Sequence, residues 1–477
     1  MVMQQRQFSG CCWLMLAVIA LMTWAAPAPA QQDNANAPQQ APAAAEELLQ
    51  DLNVEVAPAD PAAPAEAAAA PTPAEAAAAP TPAEAAAAPA EAAPAAPTPA
   101  EAPEKPSLES IFNYRIRVKK FTTLQSVSNI ESVAWSPDGK KLLVDSAIGN
   151  PYYNIYIVEF DDEGRDSIRS VFQRRGSDIV TSLHNGNASW HPRGRHIVFS
   201  GQNVGSTELR RSAPGYGLFG NLWLADDNGR FWRLTNLLSS YFNPKGVSMP
   251  HFSPDGRKLV WTVSDGRAGQ GRARGRMDSL WGTRSICLAN FALKNGRPEI
   301  SNMKEFTPGE QDDFYETYGF SVDGRQVLFA ANMSENQPWY GMDICLYDIA
   351  SEQTTKLTDT PMVWDRYASF SPGGEKIVWS SSEGFTISSL GAGGINWQRE
   401  MMSELWIMNK DGRQKRRLTF FNQRNRPESV RRHAYVGMSS WHPSGERIAL
   451  VLHSETWPGV IESGVMILDL YDAESER

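Results

Sequence analysis

Six times along the chain, an aromatic residue is followed by a short polar turn and then by a run of apolar residues. The aromatic residues are Trp135, Trp190, Phe252, Phe320, Phe370 and Trp441. The turns read Ser-Pro-Asp-Gly or a variant of it and end at Gly139, Gly194, Gly256, Gly324, Gly374 and Gly445. Proline presets the first turn position, and glycine accepts the left-handed backbone that begins a return strand. Each motif therefore predicts a tight β-hairpin.

Further strands follow each hairpin. The run after the turn is apolar, as at 141–145, 196–200 and 376–380. A third strand is expected at 221–225, 344–348 and 404–408, and a fourth where a basic residue precedes Leu-Thr, at 233–235, 356–358 and 417–419. Four antiparallel strands per repeat without helical periodicity are typical of a propeller blade. The sequence predicts an all-β, six-bladed β-propeller of four-stranded antiparallel blades.

The sixth repeat ends without a fourth strand. An alternating segment at 114–121 stands unpaired ahead of the first repeat. We expect this segment to complete the last blade, because that pairing removes an exposed sheet edge and joins the two ends of the ring.

These motifs resemble the repeat of the TolB C-terminal propeller, over roughly residues 112 to 471. The shared features are the aromatic-Ser-Pro-Asp-Gly turn, the Ile-Val-Phe type of strand and the terminal Arg-Leu-Thr. The resemblance implies a binding role rather than catalysis. It does not extend to the α/β domain that precedes the TolB propeller, since an Ala/Pro-rich segment stands there in this chain.

The N-terminal 106 residues have a different composition. Arg6 precedes an apolar run from 11 to 26, and Ala28-Pro29-Ala30 suits signal peptidase, so residues 1–30 are interpreted as a secretory signal peptide. An uncleaved membrane anchor is the alternative. Residues 31–106 are mostly Ala, Pro, Glu and Gln and are interpreted as a disordered linker. The propeller occupies 107–477, and the protein is expected to be periplasmic or secreted.

The net charge of -9 belongs to the linker, which holds 12 acidic residues and one lysine. The propeller is therefore close to neutral. A neutral, exported domain does not favour nucleic acid as a partner. We expect a monomer that binds an envelope protein or an anionic glycan, and a membrane only if the signal peptide is uncleaved.

Two cysteines remain after the signal peptide, Cys287 and Cys345, at matching points of repeated strands. Equivalent positions in neighbouring blades lie too far apart to bridge, so two buried free thiols are expected.

The long connections, both those between second and third strands and those between blades, are predicted to share one face, because the tight turns share the other. Loops on a rigid scaffold usually carry function. This face is rich in arginine and aromatic residues, the composition of protein-binding hot spots. The predicted partner-binding residues are Arg210, Arg211, Arg272, Arg274, Arg276, Trp281, Trp339, Tyr340, Trp397, Arg431, Arg432 and Trp457. The alternative is solvated charge with aromatic rings packing within their own loops.

No catalytic motif is present: the sequence lacks His-Glu-x-x-His, Gly-x-Ser-x-Gly and a phosphate-binding loop. Too few residues follow Gly445 for a peptidase domain, so no catalytic residue and no cofactor is assigned. The alternative function is a metal-dependent polysaccharide lyase or hydrolase using His184, His251 or His433. A Ca²⁺ site is a further alternative, with candidate ligands Asp312, Asp313, Glu316 and Asp365.

Overall fold

The computed structural model describes residues 116–472, except 150, 162–163, 165, 173–182, 205, 207–210, 267–281, 311–312, 336, 339 and 388–396. The predicted signal peptide and linker lie outside the described residues. Within the described residues the fold is all β, with 24 strands and one short 3-10 helix at Trp397–Arg399.

The strands form six four-stranded antiparallel sheets, which confirms the predicted blades. Blade 1 contains β2 (Ile130–Trp135), β3 (Lys141–Ser146), β4 (Asn154–Phe160) and β5 (Asp166–Ser170). Blade 2 contains β6 (Asn185–Trp190), β7 (His196–Gln202), β8 (Gly220–Asp226) and β9 (Phe231–Arg233). Blade 3 contains β10 (Lys245–Phe252), β11 (Lys258–Asp265), β12 (Thr283–Lys294) and β13 (Arg297–Phe306).

The remaining blades follow the same order. Blade 4 contains β14 (Tyr315–Phe320), β15 (Gln326–Ala331), β16 (Asp343–Asp348) and β17 (Thr354–Lys356). Blade 5 contains β18 (Asp365–Phe370), β19 (Lys376–Ser381), β20 (Glu404–Asn409) and β21 (Arg416–Arg417). Blade 6 contains β22 (Ala434–Trp441), β23 (Arg447–Trp457) and β24 (Val460–Asp472), with β1 (Ile116–Thr123) as its outer strand.

The pairing of β1 with β24 confirms the predicted ring closure. The register runs from Ile116 opposite Asp472 to Thr123 opposite Met466, with a β-bulge between Val118 and Lys120. The first strand of the propeller therefore completes its last blade.

The glycines that end the six turns all have positive φ, between 70° and 76°. Gly256 has a φ of 71°, as the turn prediction requires. A side chain is disfavoured there because L-residues with a Cβ rarely adopt this backbone conformation. We call the face that carries these six turns the turn face, and the opposite face, with the longer connections, the long-loop face.

In three of the blades, a threonine after the short fourth strand contacts the third strand of the same blade. The hydroxyls of Thr235, Thr358 and Thr419 accept hydrogen bonds of 2.9 Å from backbone amides of the third strand, at Leu222, Ile344 and Leu405. The fourth strands themselves end earlier than the predicted Arg-Leu-Thr segments, at the basic residue. The hydroxyl therefore adds a side-chain contact to the backbone hydrogen bonds that continue past the fourth strand, such as the 2.7 Å bond from the Leu357 amide to the Ile344 carbonyl oxygen.

Apolar side chains fill the space between neighbouring blades. Leu143 and Ile155 of blade 1, for example, pack in one buried cluster with Ile197 and Phe199 of blade 2. Because each blade is covered on both sides, the second strands are buried along nearly their whole length rather than at alternate residues.

Cys287 and Cys345 are free and buried, as predicted. Burial raises the pKa of the Cys287 thiol to about 12, so it stays protonated. In the part of the chain that the structure describes, no helix has the length and apolar character needed to cross a bilayer.

Candidate functional site

The first strand of each blade lines the central channel and carries a β-bulge. We call the residue four positions before the turn aromatic the channel position. It is occupied by Glu131, Gly186, Ser248, Glu316, Arg366 and Gly437. Two carboxylates and one guanidinium therefore stand at a position where a central strand would ordinarily be small or apolar.

Glu316 is the centre of a buried charge network. Its carboxylate accepts hydrogen bonds from Arg284 Nη1 at 2.5 Å, from Arg366 Nε at 2.9 Å and from the Tyr318 hydroxyl at 2.8 Å. All three charged side chains are almost fully buried. Burial acts to raise the pKa of Glu316, but the two guanidinium groups outweigh it and hold the pKa below its usual value. The carboxylate is therefore ionised.

Aromatic rings cover both arginines of this network. The Arg284 guanidinium lies 4.4 Å from the ring centre of Phe314, and that of Arg366 lies 4.6 Å from Trp364 and 4.7 Å from Tyr367. Cation–π contacts of this kind stabilise a desolvated guanidinium. With its charges paired and its surfaces covered, the network joins blades 3, 4 and 5 and offers no exposed reactive group.

Glu131 is the exception among the channel carboxylates. Burial, together with the nearby charges of Asp145 and Glu316, raises its pKa to about 8, although Arg366 acts in the opposite direction. Asp145 accepts hydrogen bonds from other donors: its Oδ2 accepts from the Ser132 hydroxyl at 2.7 Å and from the backbone N–H of Asn187 at 2.8 Å. Glu131 is therefore mostly protonated at neutral pH.

A segment of the long connection between β7 and β8, residues 212–219, lies at the long-loop end of the channel. Arg284 Nη2 donates to the carbonyl oxygens of Gly215, at 3.2 Å, and Tyr216, at 3.1 Å. A Cβ on Gly186 would lie 2.4 Å from Pro214, so glycine is required at this channel position. The segment thereby contacts blades beyond its own and covers the network from that side.

The other end of the channel forms a cavity of about 250 Å³ that reaches the turn face. Residues from the first strands of all six blades line it, together with Ser136, Pro137 and Pro443 of the turns. The channel therefore differs at its two ends, with a chain segment at one and a cavity at the other.

Half of the predicted partner-binding residues, Arg210, Arg272, Arg274, Arg276, Trp281 and Trp339, lie outside the described residues. Arg211 is half-buried, with its guanidinium 5.5 Å from the ring centre of Phe219. Arg431 and Arg432 are exposed on the long-loop face, as is Trp457, which has 68% of its surface exposed.

Two of the predicted surface aromatics are buried instead. Tyr340 is 5% exposed and Trp397 is 3% exposed, and both belong to the largest apolar cluster. Trp397 stacks on Trp364, with ring centres 5.1 Å apart. These two rings therefore pack within the core and do not belong to the candidate binding surface.

The structure adds exposed apolar residues that the composition argument missed. Leu238, Tyr241 and Phe242 lie in the connection between blades 2 and 3, and Phe242 is 87% exposed. Val204, at the start of the β7–β8 connection, is exposed as well. A loop segment with three large apolar side chains within five residues is the signal that was available in the sequence.

The candidate metal ligands do not converge among the described residues, where no group of three or more His, Cys, Asp or Glu side chains is placed to hold a metal ion. His251 lines the cavity near the turn face, whereas His433 Nδ1 lies 3.3 Å from Glu455 on the long-loop face. His184 Nδ1 accepts from the Tyr153 amide at 3.1 Å.

The acidic residues considered for Ca²⁺ have other partners. Glu316 is held by two arginines, and Asp365 accepts from Trp379 Nε1 and from the Thr360 hydroxyl, both at 3.0 Å. Asp313 Oδ2 accepts from the Glu310 amide at 3.0 Å. Asp312 lies outside the described residues.

No protein-family model matches the chain, and no curated protein matches it in sequence. Among solved structures it is similar to a protein described as a TolB of Agrobacterium tumefaciens, at 17% identity and a TM-score of 0.40, over 64% of this chain and 88% of that one. It is also similar to an oligogalacturonate lyase of Vibrio parahaemolyticus, at 10% identity and a TM-score of 0.40, over 74% and 97%.

A third similar structure is the acylaminoacyl peptidase of Pyrococcus horikoshii, at 12% identity and a TM-score of 0.38, over 71% of this chain and 47% of the peptidase. The three similar structures are thus a TolB, a lyase and a peptidase, all at low identity. The six-bladed architecture itself is established by the strand pairing, which confirms what the repeats predicted.

Proposed function

We propose that the protein is a non-catalytic, exported scaffold that binds a protein or another cell-envelope partner through the long-loop face. The observation that carries this proposal is the exposure of Leu238, Tyr241, Phe242 and Trp457 on that face. Single exposed apolar residues are common, but aromatic residues grouped in exposed loops are typical of interaction sites.

Charge supports the same face. Arg431 and Arg432 are exposed there, and Arg424 and Arg426 lie in the same connection between blades 5 and 6. Arginine beside aromatic residues favours a partner with acidic groups, such as an acidic protein surface or an anionic glycan. In this proposal the scaffold is a monomer, it lies in the periplasm or outside the cell, and it needs no cofactor.

The test is photo-crosslinking capture by the full-length protein from a cell-envelope fraction, followed by affinity measurement with the captured partner. The charge variant is Arg431→Glu with Arg432→Glu, and the apolar variant is Phe242→Ser. We expect each to weaken binding at least tenfold with little change in melting temperature, because exposed side chains contribute little to stability. Added salt should weaken binding as well.

The matched controls lie on the turn face: Arg257→Glu with Arg325→Glu for charge, and the exposed Val322→Ser for apolar surface. These should bind as the parent does. Equal losses from both faces, or none from either, would contradict the proposal.

A catalytic role is tested separately. A lyase should degrade uronate oligomers and lose that activity on chelation, whereas a binding scaffold should release no unsaturated product with or without chelator. Turnover that stops on chelation would replace the proposal by the lyase alternative.

A further inference from the structure

The cavity at the turn-face end of the channel has a polar lining without formal charge. Its polar lining residues are Asn187, His251 and a set of serines, Ser136, Ser189, Ser369, Ser439 and Ser440. Burial lowers the pKa of His251 to about 4, so the imidazole is neutral at physiological pH. The aromatic lining residues are Trp135, Trp190, Tyr318 and Tyr367.

Three residues of the lining have a left-handed backbone with positive φ. Asn187, Met249 and Tyr367 occupy equivalent positions in blades 2, 3 and 5, and their φ angles are 51°, 52° and 56°. Asparagine tolerates this left-handed conformation, but for methionine and tyrosine it costs of the order of 1–3 kcal/mol. Strain of this kind, next to β-bulges that redirect side chains, is characteristic of functional sites.

The same lining contains polar groups without a hydrogen-bond partner. Asn187 is only 2% exposed, and neither Nδ2 nor Oδ1 of its side-chain amide has a hydrogen-bond partner. The hydroxyl of Ser439 and Nε2 of His251 are buried atoms that likewise have no partner. An unpaired buried polar group costs about 1–3 kcal/mol. The four atoms together supply both donors and acceptors along the wall of one cavity.

These atoms are covered in the present side-chain arrangement. Met249 and Met438 are also part of the lining, and unbranched methionine side chains move aside at little cost. A ligand with its own donors and acceptors can therefore reach the amide.

We propose that this cavity binds one small uncharged polyol, a single sugar ring, supplied either as a free monosaccharide or as the end residue of a glycan chain. A lining without formal charge disfavours carboxylate and phosphate ligands, because nothing compensates their desolvation. A sugar ring offers hydroxyls to the unpaired atoms and an apolar face to Trp190 and Tyr318. The volume lies below the roughly 300–1,000 Å³ of sites for larger ligands, as suits one ring.

The alternative occupant is water. The cavity has room for about eight waters at the ~30 Å³ that each takes in the liquid. This site is at the opposite end of the channel from the long-loop face, so it does not depend on the function proposed above.

The test is a titration of the full-length protein with D-glucose, D-galactose, D-mannose and N-acetyl-D-glucosamine, with galacturonate as the charged counterpart, by calorimetry and saturation-transfer NMR. We expect saturable binding of at least one neutral sugar, with galacturonate at least tenfold weaker. Short oligosaccharides ending in the bound sugar distinguish the two sources: tighter binding than the free sugar indicates a glycan end.

Two variants locate the site. Asn187→Gly removes the amide at a φ that suits glycine, so the fold should be kept while affinity falls at least tenfold; Ser439→Ala removes the unpaired hydroxyl. The matched control is Asn302→Gly, at a φ of 50° on the exposed strand β13, which should bind as the parent does. No saturable binding of any neutral sugar, preference for galacturonate, or unchanged affinity in both cavity variants would overturn the proposal, and ordered water alone would then be the occupant.

Discussion

Nε2 of His442 lies 3.0 Å from the carbonyl oxygen of Gly139. His442 begins the turn of blade 6 and Gly139 ends the turn of blade 1, so the contact joins the last blade to the first. The imidazole also packs edge-on against Trp135, with ring centres 4.9 Å apart. His191 is placed in the same way against Gly256 of blade 3. The two histidines that replace serine in the turns thus contact the next blade.

This contact predicts different costs for alanine at two turn glycines. Gly139→Ala and Gly194→Ala should both lose about 1–2 kcal/mol, because both residues have a left-handed backbone. Only at Gly139 would the new Cβ also meet a neighbour, 2.3 Å from Nε2 of His442; at Gly194 it meets nothing within 4 Å. We expect Gly139→Ala to have the lower urea midpoint of the two variants. When each is combined with His442→Ala, the two midpoints should become equal. Equal midpoints for the two single variants would contradict a close contact between His442 and Gly139.

Ring closure predicts that deletion of residues 107–123 destabilises the whole propeller. Loss of β1 exposes the edge of β24 and removes Phe121 from its contact with Phe421 of the neighbouring blade. Deletion of 31–100 is the control and should leave the thermal unfolding transition unchanged. The assignment of β1 as a stabilising strand fails if the first truncation unfolds at the temperature of the parent.

The buried network predicts a large effect of Glu316→Gln. Removing the carboxylate charge leaves Arg284 and Arg366 buried without a counter-ion, which costs about 3–5 kcal/mol. Glu375→Gln, in the exposed pair with Lys410, should cost less than about 1 kcal/mol. Because folding lowers the pKa of Glu316, the stability it contributes is present above its unfolded pKa and is lost as the pH falls through the folded value. Urea unfolding at pH 7 and at pH 3 measures both effects, and similar costs for the two variants at pH 7 would contradict the network.

Glu131 predicts the opposite dependence on pH. Folding raises its pKa from 4.5 to about 8, so the folded state binds a proton more tightly and stability falls as the pH rises between these values. Glu131→Gln should therefore be more stable than the parent at pH 8 and similar to it at pH 4.5, by thermal unfolding. The control is Glu335→Gln, at an exposed glutamate, which should show the same dependence of stability on pH as the parent. A gain in stability from Glu131→Gln that is the same at both pH values would argue against titration of this carboxyl.

The fold could be read from the sequence because each blade is built from local signals. The turn ending at Gly256 and the apolar strand after it are neighbours in the chain, and six copies leave little freedom in the architecture. Closure by β1 was also predictable, since an unpaired strand at one end matched a missing strand at the other. Strand ends were less predictable, because the contact with the third strand continues past β17 through the backbone of Leu357 and the hydroxyl of Thr358.

The channel was not predicted, because its residues come from different blades. Arg284 begins a third strand and meets Glu316 only when the ring has formed, so no spacing along the chain relates them. Alignment of the six repeats would have shown carboxylates and an arginine at the channel position. The burial of Tyr340 and Trp397 had no comparable signal, since an aromatic residue in a long loop can pack inward or face solvent with the same sequence pattern.

The pairing of Ile116 with Asp472 also has a mechanical consequence. These residues are the outer ends of two antiparallel strands, so tension between the preceding chain and the C-terminus acts at one end of the ladder. Such a load separates the hydrogen bonds one pair after another, whereas a pull along the strands would load all of them together. The ring therefore has one seam that opens under low force from its own chain ends, while the other five blades, each built from continuous chain, stay paired.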